Sequence, residues 1–141
     1  MNVISMGTLF LNVGINSFLD IKFRRISVIV CLVCGSIGVL IKVFDGDFNF
    51  LEMMFGTAPG LFLILVSIFS KGKVGMGDGI LLLSLGTLIK AESIIEILIV
   101  ALILTSMFSV VLIVIKRANL KSSLPFVPFL LLSCIGHLFW S

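Results

Sequence analysis

The sequence predicts an all-α polytopic membrane protein, a single unit over residues 1–141 built as a bundle of about six transmembrane helices with no soluble domain. Composition is the first observation behind this prediction. Hydrophobic residues make up 60% of the chain and charged residues only 12%, against roughly 45–50% and about 25% in soluble domains, and the mean hydropathy is +1.33. A soluble core of this size cannot bury so much apolar surface, which excludes a water-soluble enzyme, a nucleic-acid-binding domain and a disordered chain.

The second observation is that charged residues divide the chain into six apolar runs. A membrane-spanning helix needs about 20 apolar residues, and all of the runs except the fourth approach or reach this length. The fourth, at about 1.5 Å per residue, reaches only about 16 Å, or roughly half of the hydrocarbon thickness. In order, the runs are Val3–Leu19, Ile26–Val43, Leu51–Ser70, Gly79–Ile89, Ile94–Ile115 and Pro125–Trp140.

The charges between the runs predict the topology. Eight of the ten Lys and Arg follow the first, third and fifth runs, whereas Lys42 and Lys90 lie on the opposite side. The positive-inside rule therefore places the turns after the odd-numbered runs in the cytoplasm and both termini outside. The first run has no basic segment before it and no small-residue cleavage site, so we expect a retained span and not a signal peptide. The eight basic residues are Lys22, Arg24, Arg25, Lys71, Lys73, Lys116, Arg117 and Lys121.

Two carboxylates lie on the predicted cytoplasmic face. Asp20 ends the first run, where the negative end of the helix dipole disfavours an acid. Asp78 opens the fourth run, in the segment Gly75-Met76-Gly77-Asp78-Gly79. Each has a structural alternative: Asp20 as an interfacial charge neutralised by the basic residues that follow it, and Asp78 as a helix N-cap.

The surroundings of Asp78 favour a functional interpretation. Gly75, Gly77 and Gly79 leave the backbone bare and able to adopt positive φ, which suits a segment that another group must approach closely. Because the run after Asp78 is short, we expect this residue to lie below the membrane surface. An ionisable side chain at that depth indicates a functional site.

Together, the two carboxylates predict aspartyl proteolysis. When two carboxyl groups lie close together, one of them keeps a proton. The charged group can then activate water, and the protonated group can donate to the developing oxyanion. No metal site is expected, since His137 is the one histidine, without a nearby acid in the sequence, and the C-x-x-C of Cys31 and Cys34 lies inside an apolar run.

Three motifs carry a resemblance to a known family. They are Asp20-Ile21-Lys22-Phe23-Arg24-Arg25-Ile26, Gly75-Met76-Gly77-Asp78 and Leu124-Pro125-Phe126-Val127-Pro128-Phe129. In this order they resemble the D-x-K-x-R-x-I-P-like, G-x-G-D and I-P-F-G-P-F segments of the type IV prepilin peptidases, which are membrane aspartyl proteases. A G-x-G-D motif alone is weak evidence for a family, but three motifs in the family's order, each at a predicted cytoplasmic end of a span, are strong evidence. The resemblance extends over nearly the whole chain.

The resemblance implies that Asp20 and Asp78 are the catalytic pair. It also implies a substrate, a prepilin or pilin-like precursor whose short basic leader is cut at the cytoplasmic face of a prokaryotic inner membrane, just before its hydrophobic helix. The expected partners are this precursor and the lipid bilayer, with no nucleic acid. The residues that the motifs mark as supporting the pair are Gly75, Gly77, Lys22 and Arg24.

The chain departs from the family pattern in two motif positions and in one region. Ser27 stands where the family often has Pro, and Val127 where it often has Gly. The long bifunctional members carry an N-terminal C-x-x-C…C-x-x-C zinc module that is tied to N-methylation, and this sequence contains none. It therefore resembles the short peptidase-only form, for which no methyl transfer is expected and no cofactor is implied.

Three alternatives stay open at this point. Presenilin and signal-peptide-peptidase proteases share G-x-G-D but pair it with a Tyr-Asp motif, and this chain has no tyrosine. A small transporter or channel with intramembrane carboxylates would need polar groups through the full membrane thickness, whereas the charged sites here cluster at one face. The third alternative is a non-catalytic pilus-assembly scaffold, which would keep its function after substitution of Asp20 or Asp78 by Asn, whereas an aspartyl protease would lose its activity.

The spacing of polar residues predicts one inward face for the first helix. Thr8, Asn12, Asn16 and Asp20 recur every four residues, so they line one side of it. Because polar side chains are costly in lipid, this side should face the interior of the bundle. There it either forms interhelical hydrogen bonds or makes a hydrated wall that brings water to Asp20.

Overall fold

The computed structural model of the protein describes residues 3–23, 25–46, 48–70, 75–115 and 125–140, and within them it contains six α-helices and no β-strand. Each of the six predicted runs corresponds to one helix, which confirms an all-α chain. The helices are α1 (Val3–Phe23), α2 (Val28–Phe44), α3 (Phe50–Phe69), α4 (Met76–Leu88), α5 (Ala91–Val114) and α6 (Val127–Trp140).

Three of these helices, α1, α3 and α5, are long and apolar enough to cross a membrane by their length and composition. The other three, α2, α4 and α6, are apolar helices of 17, 13 and 14 residues. The most apolar of the long helices is α5, and only 11% of an apolar stretch of 18 residues within it is buried inside the bundle. An apolar surface of this extent is compatible with lipid and unfavourable in water.

The helices pack side by side in a closed ring. Their order around it is α1, α2, α4, α3, α5 and α6, and α6 returns to α1. Since α4 also contacts α1 and α5, it is surrounded by other helices. Its Leu81, Leu82 and Leu85 have no exposed surface. A helix of only 13 residues therefore fits in the bundle because longer helices, and not lipid, cover its apolar side chains.

Bare glycine backbones bring α3 and α4 into close contact. Gly56 on α3 lies against Gly86 on α4, and a Cβ built on Gly60 would lie 2.5 Å from the backbone nitrogen of Leu83. The four-residue spacing of Gly56 and Gly60 puts both on one face of α3, as in the small-residue contacts of membrane helices. This glycine seam between Gly56, Gly60 and the backbone of α4 fixes the helix that carries the G-x-G-D motif.

The start of α4 differs from the prediction. The helix begins at Met76, not at Gly79, and its first turn includes Gly77 and Asp78. The motif glycines do not use their freedom to adopt positive φ, since among the described glycines Gly46 alone has a positive φ, of 72°. The motif glycines allow close packing around the helix start instead.

Candidate active site

Asp20 and Asp78 line the same cavity, which has a volume of about 350 Å³. Asp20 comes from the last two turns of α1 and Asp78 from the first turn of α4. They lie close enough for the charge of Asp20 to act on Asp78. The other lining residues come from the link between α1 and α2 and from the starts of α2 and α4. They are Arg25, Ile26, Val28, Gly75, Met76, Gly77 and Ile80.

The Asp20 carboxylate is buried and held by the backbone of another helix. The residue is 9% exposed, and its Oδ2 accepts a hydrogen bond of 3.1 Å from the backbone N–H of Val127, the first residue of α6. The N-terminus of a helix has unpaired N–H groups and the positive end of the dipole, so it favours a carboxylate. Asp20 is thus unfavourably placed on its own helix and favourably placed against α6.

The basic residues next to Asp20 do not form an ion pair with it in the part of the chain that the structure describes. Lys22 is exposed, and its Nζ lies 5.8 Å and 5.3 Å from the ring centres of Phe18 and Phe23. Arg25 lines the cavity but lies more than 4.0 Å from the carboxylate oxygens of Asp20. Among the described residues, the interaction that holds Asp20 is therefore its hydrogen bond to α6, and not an ion pair with Lys22 or Arg25.

Asp78 is not the N-cap of α4, so the structural alternative for this residue was wrong. The N-cap is Gly75, and Asp78 follows three residues later, inside the first turn. The carboxylate folds back over the cap, because a Cβ built on Gly75 would lie 2.7 Å from its Oδ2. Similarly, a Cβ on Gly77 would lie 2.9 Å from the Cβ of Ile26. Both motif glycines therefore leave room for side chains that line the cavity.

The polar face of α1 points into the bundle, as predicted. Asn12 and Asn16 are fully buried. Asn12 donates from Nδ2 to Oγ of Ser84 on α4 at 2.5 Å, and Oδ1 of Asn16 accepts from the backbone N–H of Ser27, the N-cap of α2, at 2.8 Å. Nδ2 of Asn16 also donates to the backbone and side-chain oxygens of Asn12 at 2.9 Å each. These bonds fix α1 against α2 and α4, the helices that border the cavity.

Comparison with known proteins identifies the family of this chain. The model of the type IV leader peptidase family matches residues 7–115, which is more than half of the sequence. The chain belongs to the type IV leader peptidase family. It is therefore a protease of the leader-peptidase type, and the family resemblance is confirmed. No curated protein and no solved structure matches it.

The family match of this leader peptidase covers both aspartates but ends before the third motif. The structure nevertheless links that motif to the cavity, through the hydrogen bond from Val127 to Asp20. Sequence reasoning included the third motif in the resemblance but missed this contact. A backbone N–H leaves no trace in residue type, so the one available signal was the position of the motif at a predicted cytoplasmic end.

The structure brings some of the predicted supporting residues of this leader peptidase to the cavity and not others. Gly75 and Gly77 line it, whereas Lys22 does not. Arg24 lies outside the described residues. Arg25 lines the cavity although the motif comparison had not marked it as a supporting residue.

The described residues include no group of three or more His, Cys, Asp or Glu side chains that could hold a metal ion. The expectation that His137 has no acidic neighbour was wrong, since its Nδ1 lies 3.4 Å from Oε2 of Glu96 on α5. Cys31 and Cys34 are buried free thiols within α2. Cys31 packs against α1, where Asn16 donates to its sulfur.

Proposed function

We propose that this leader peptidase is a membrane aspartyl endopeptidase that removes the short basic leader of a prepilin or pilin-like precursor. Asp20 and Asp78 form its catalytic pair. The observation that carries the proposal is that these two aspartates, on α1 and α4, line one cavity. Among the described residues of the lining, no other is acidic. Membership of the leader peptidase family supports the reaction class.

The proposed chemistry needs one ionised and one protonated carboxyl group. Two negative charges in one small site repel each other, so the pair retains one proton. The ionised carboxylate takes a proton from water, and the water oxygen attacks the carbonyl carbon of the scissile peptide bond. The protonated group donates a hydrogen bond to the carbonyl oxygen as negative charge develops there. The intermediate collapses when the leaving amine receives a proton and the C–N bond breaks.

The remainder of the cavity suits a peptide bond at the junction between a polar leader and a hydrophobic helix. Ile26, Val28, Met76 and Ile80 give it an apolar side next to the carboxylates. The hydrophobic segment of a precursor buries apolar surface against such a side, which is favourable. Because Gly75 and Gly77 have no side chains, the Asp78 carboxylate and Ile26 occupy the space beside them at the wall of the cavity, where a bound peptide would meet both groups.

We further propose that the six helices cross the cytoplasmic membrane of a prokaryote, with both termini outside and the cavity at the cytoplasmic face. The apolar surface of α5 supports a location in the membrane. The basic residues after α1 support the orientation. Alternate crossing also puts the C-terminal end of α1 and the N-terminal end of α4 on one side, where the cavity lies. A topology map with Lys22 and Lys71 on opposite sides of the membrane would contradict this placement.

A transporter or channel is less well supported by the same residues. A polar path through the membrane requires side chains that are available to a passing ion or solute. Asn12 and Asn16, the polar residues of α1 that precede Asp20, are instead buried and hydrogen-bonded to Ser84 and Ser27. Their contacts hold helices together, as expected of a rigid protease scaffold.

The proposal is tested by co-expressing the protein with a candidate prepilin and following the mobility shift that accompanies leader removal. Asp20→Asn and Asp78→Asn should each abolish cleavage, because an amide cannot exchange the proton that the reaction needs. Asp45→Asn is the matched control, since Asp45 is exposed and follows the end of α2 that is opposite to the cavity. Cleavage by either site variant at a near wild-type rate, with all variants inserted in the membrane, would refute the aspartyl mechanism.

A further inference from the structure

The first turn of α6 offers one backbone donor to another element. The first N–H groups of a helix have no partner within it. Here the N–H groups of Phe129 and Leu130 both bond to the carbonyl oxygen of Phe126, at 3.1 Å each, and Pro128 has no N–H. The N–H of Val127 is the donor that remains, and it goes to the carboxylate at the end of α1.

This hydrogen bond makes the two oxygens of Asp20 different. Oδ2 accepts the N–H of Val127. Oδ1 accepts no hydrogen bond from the described residues, and none of their buried side-chain oxygens is left without a partner. Oδ1 is therefore not sealed inside the protein but accessible from the cavity that Asp20 lines.

Val127 is itself fixed in position. Its side chain is fully buried in the same core cluster as Leu9 and Val13 of α1, and the two helices contact each other. Pro128, the next residue, restricts the backbone of the turn. A donor on such a rigid main chain orients a carboxylate more strictly than a mobile side chain would.

We propose that Val127 is a positioning residue, whose backbone N–H holds Oδ2 of Asp20 so that Oδ1 takes the proton from the attacking water. An N–H can only donate, so it favours a proton-free Oδ2 and leaves the new O–H bond to form at Oδ1. The proton then passes to the leaving amine as the C–N bond breaks. This assignment rests on the proposed function, because it concerns one carboxylate of the same catalytic pair.

The test removes the N–H while it leaves the main chain helical. Val127→Pro does so, because proline is well tolerated at the first helical position. With purified enzyme and a peptide that contains a basic leader and a hydrophobic segment, kcat should fall about ten- to a hundredfold, as for the loss of a hydrogen bond to a charged group, with KM unchanged. Ala91→Pro, at the first position of α5, is the matched control and should keep the wild-type kcat.

A second variant keeps the test decisive should Val127→Pro not fold. Incorporation of α-hydroxyvaline at position 127 turns the amide into an ester, which removes the N–H but keeps the side chain, and it should lower kcat equally. Val127→Ala retains the N–H and should recover most of that loss. A wild-type kcat in the ester variant, or an equal loss in Val127→Ala, would overturn the role of the N–H. Those results would leave the aspartyl mechanism standing, whereas an active Asp20→Asn enzyme would refute the mechanism itself.

Discussion

Gly60→Ala is expected to push α3 away from α4 and to destabilise the bundle. A Cβ at this position would lie 2.5 Å from the backbone nitrogen of Leu83, 2.9 Å from its Cα and 2.8 Å from the carbonyl oxygen of Gly79. All three are backbone atoms of a buried helix in a densely packed interior, so they cannot rotate away as the end of a side chain would. The added methyl group therefore opens the glycine seam.

Two effects of opposite sign set the size of this change. Alanine is a better helix former than glycine by about 1 kcal/mol. Overpacking a dense core typically costs about 1–3 kcal/mol, and the fixed backbone of α4 places Gly60 at the upper end of that range. The net loss of stability is thus about 2 kcal/mol. Gly14→Ala on α1 is the matched control, because no atom lies within 4 Å of its added Cβ.

The assay is thermal unfolding in detergent at a single scan rate, since the apparent Tm of an irreversibly unfolding protein depends on that rate. Gly60→Ala should unfold at a lower temperature than wild type, and Gly14→Ala at an equal or higher one. Because α4 carries Asp78, leader cleavage per folded molecule should also fall in Gly60→Ala. Equal apparent Tm values for the two variants would refute the close approach of α3 and α4.

Two further predictions concern polar side chains near the cavity. Asn16→Leu leaves the backbone N–H of Ser27 without its acceptor, so the apparent Tm should fall by the equivalent of about 1–3 kcal/mol. Cleavage per folded molecule should be unchanged. Lost cleavage at an unchanged Tm would instead indicate that the polar face of α1 is a hydrated wall that brings water to Asp20. Arg25→Gln removes a cation that can donate to peptide carbonyl groups in the cavity. Lys22→Gln is its control, because the Lys22 side chain does not line the cavity. The kcat/KM for peptide cleavage should be about three- to tenfold lower in Arg25→Gln than in Lys22→Gln. Equal values for the two variants would contradict a role for Arg25 in binding.

The number of helices was predictable because charged residues interrupt the long apolar runs. In lipid, an apolar run of this length pairs its backbone N–H and C=O groups by forming a helix. The start of α4 was predicted at Gly79 because a charged residue was expected to end a span. The structure instead includes Asp78 in the first turn, beginning at Met76, where the helix dipole favours an acid. Charge patterns thus locate spans better than they locate helix ends.

The order of the helices around the ring was not predictable from hydropathy. An apolar face does not specify which other apolar face it meets. The four-residue spacing of Gly56 and Gly60 did carry a signal, since it allows close approach of a second helix. Only the structure shows that this second helix is α4.

The candidate site was predictable where it depends on side-chain type and not where it depends on the backbone. The pairing of Asp20 with Asp78 followed from their place on one predicted face and from their motifs. The partner of Asp20 on α6 did not, because Val127 contributes a main-chain N–H that any residue except proline would supply. The sequence also did not show which of the basic residues Lys22, Arg24 and Arg25 faces the site. In the structure Arg25 lines the cavity, whereas Lys22 lies near two aromatic rings.

The aspartyl pair is tested most directly by single-turnover cleavage with the purified wild type, Asp20→Asn, Asp78→Asn and the double variant. Groups that act as one catalytic unit are strongly non-additive, so each single substitution should remove nearly all of the rate enhancement and the double variant should be no slower than either single. Thermal unfolding of the four proteins controls for folding. A single variant that cleaves near the wild-type rate, or a double variant slowed by the product of the two single effects, would contradict a shared carboxylate mechanism.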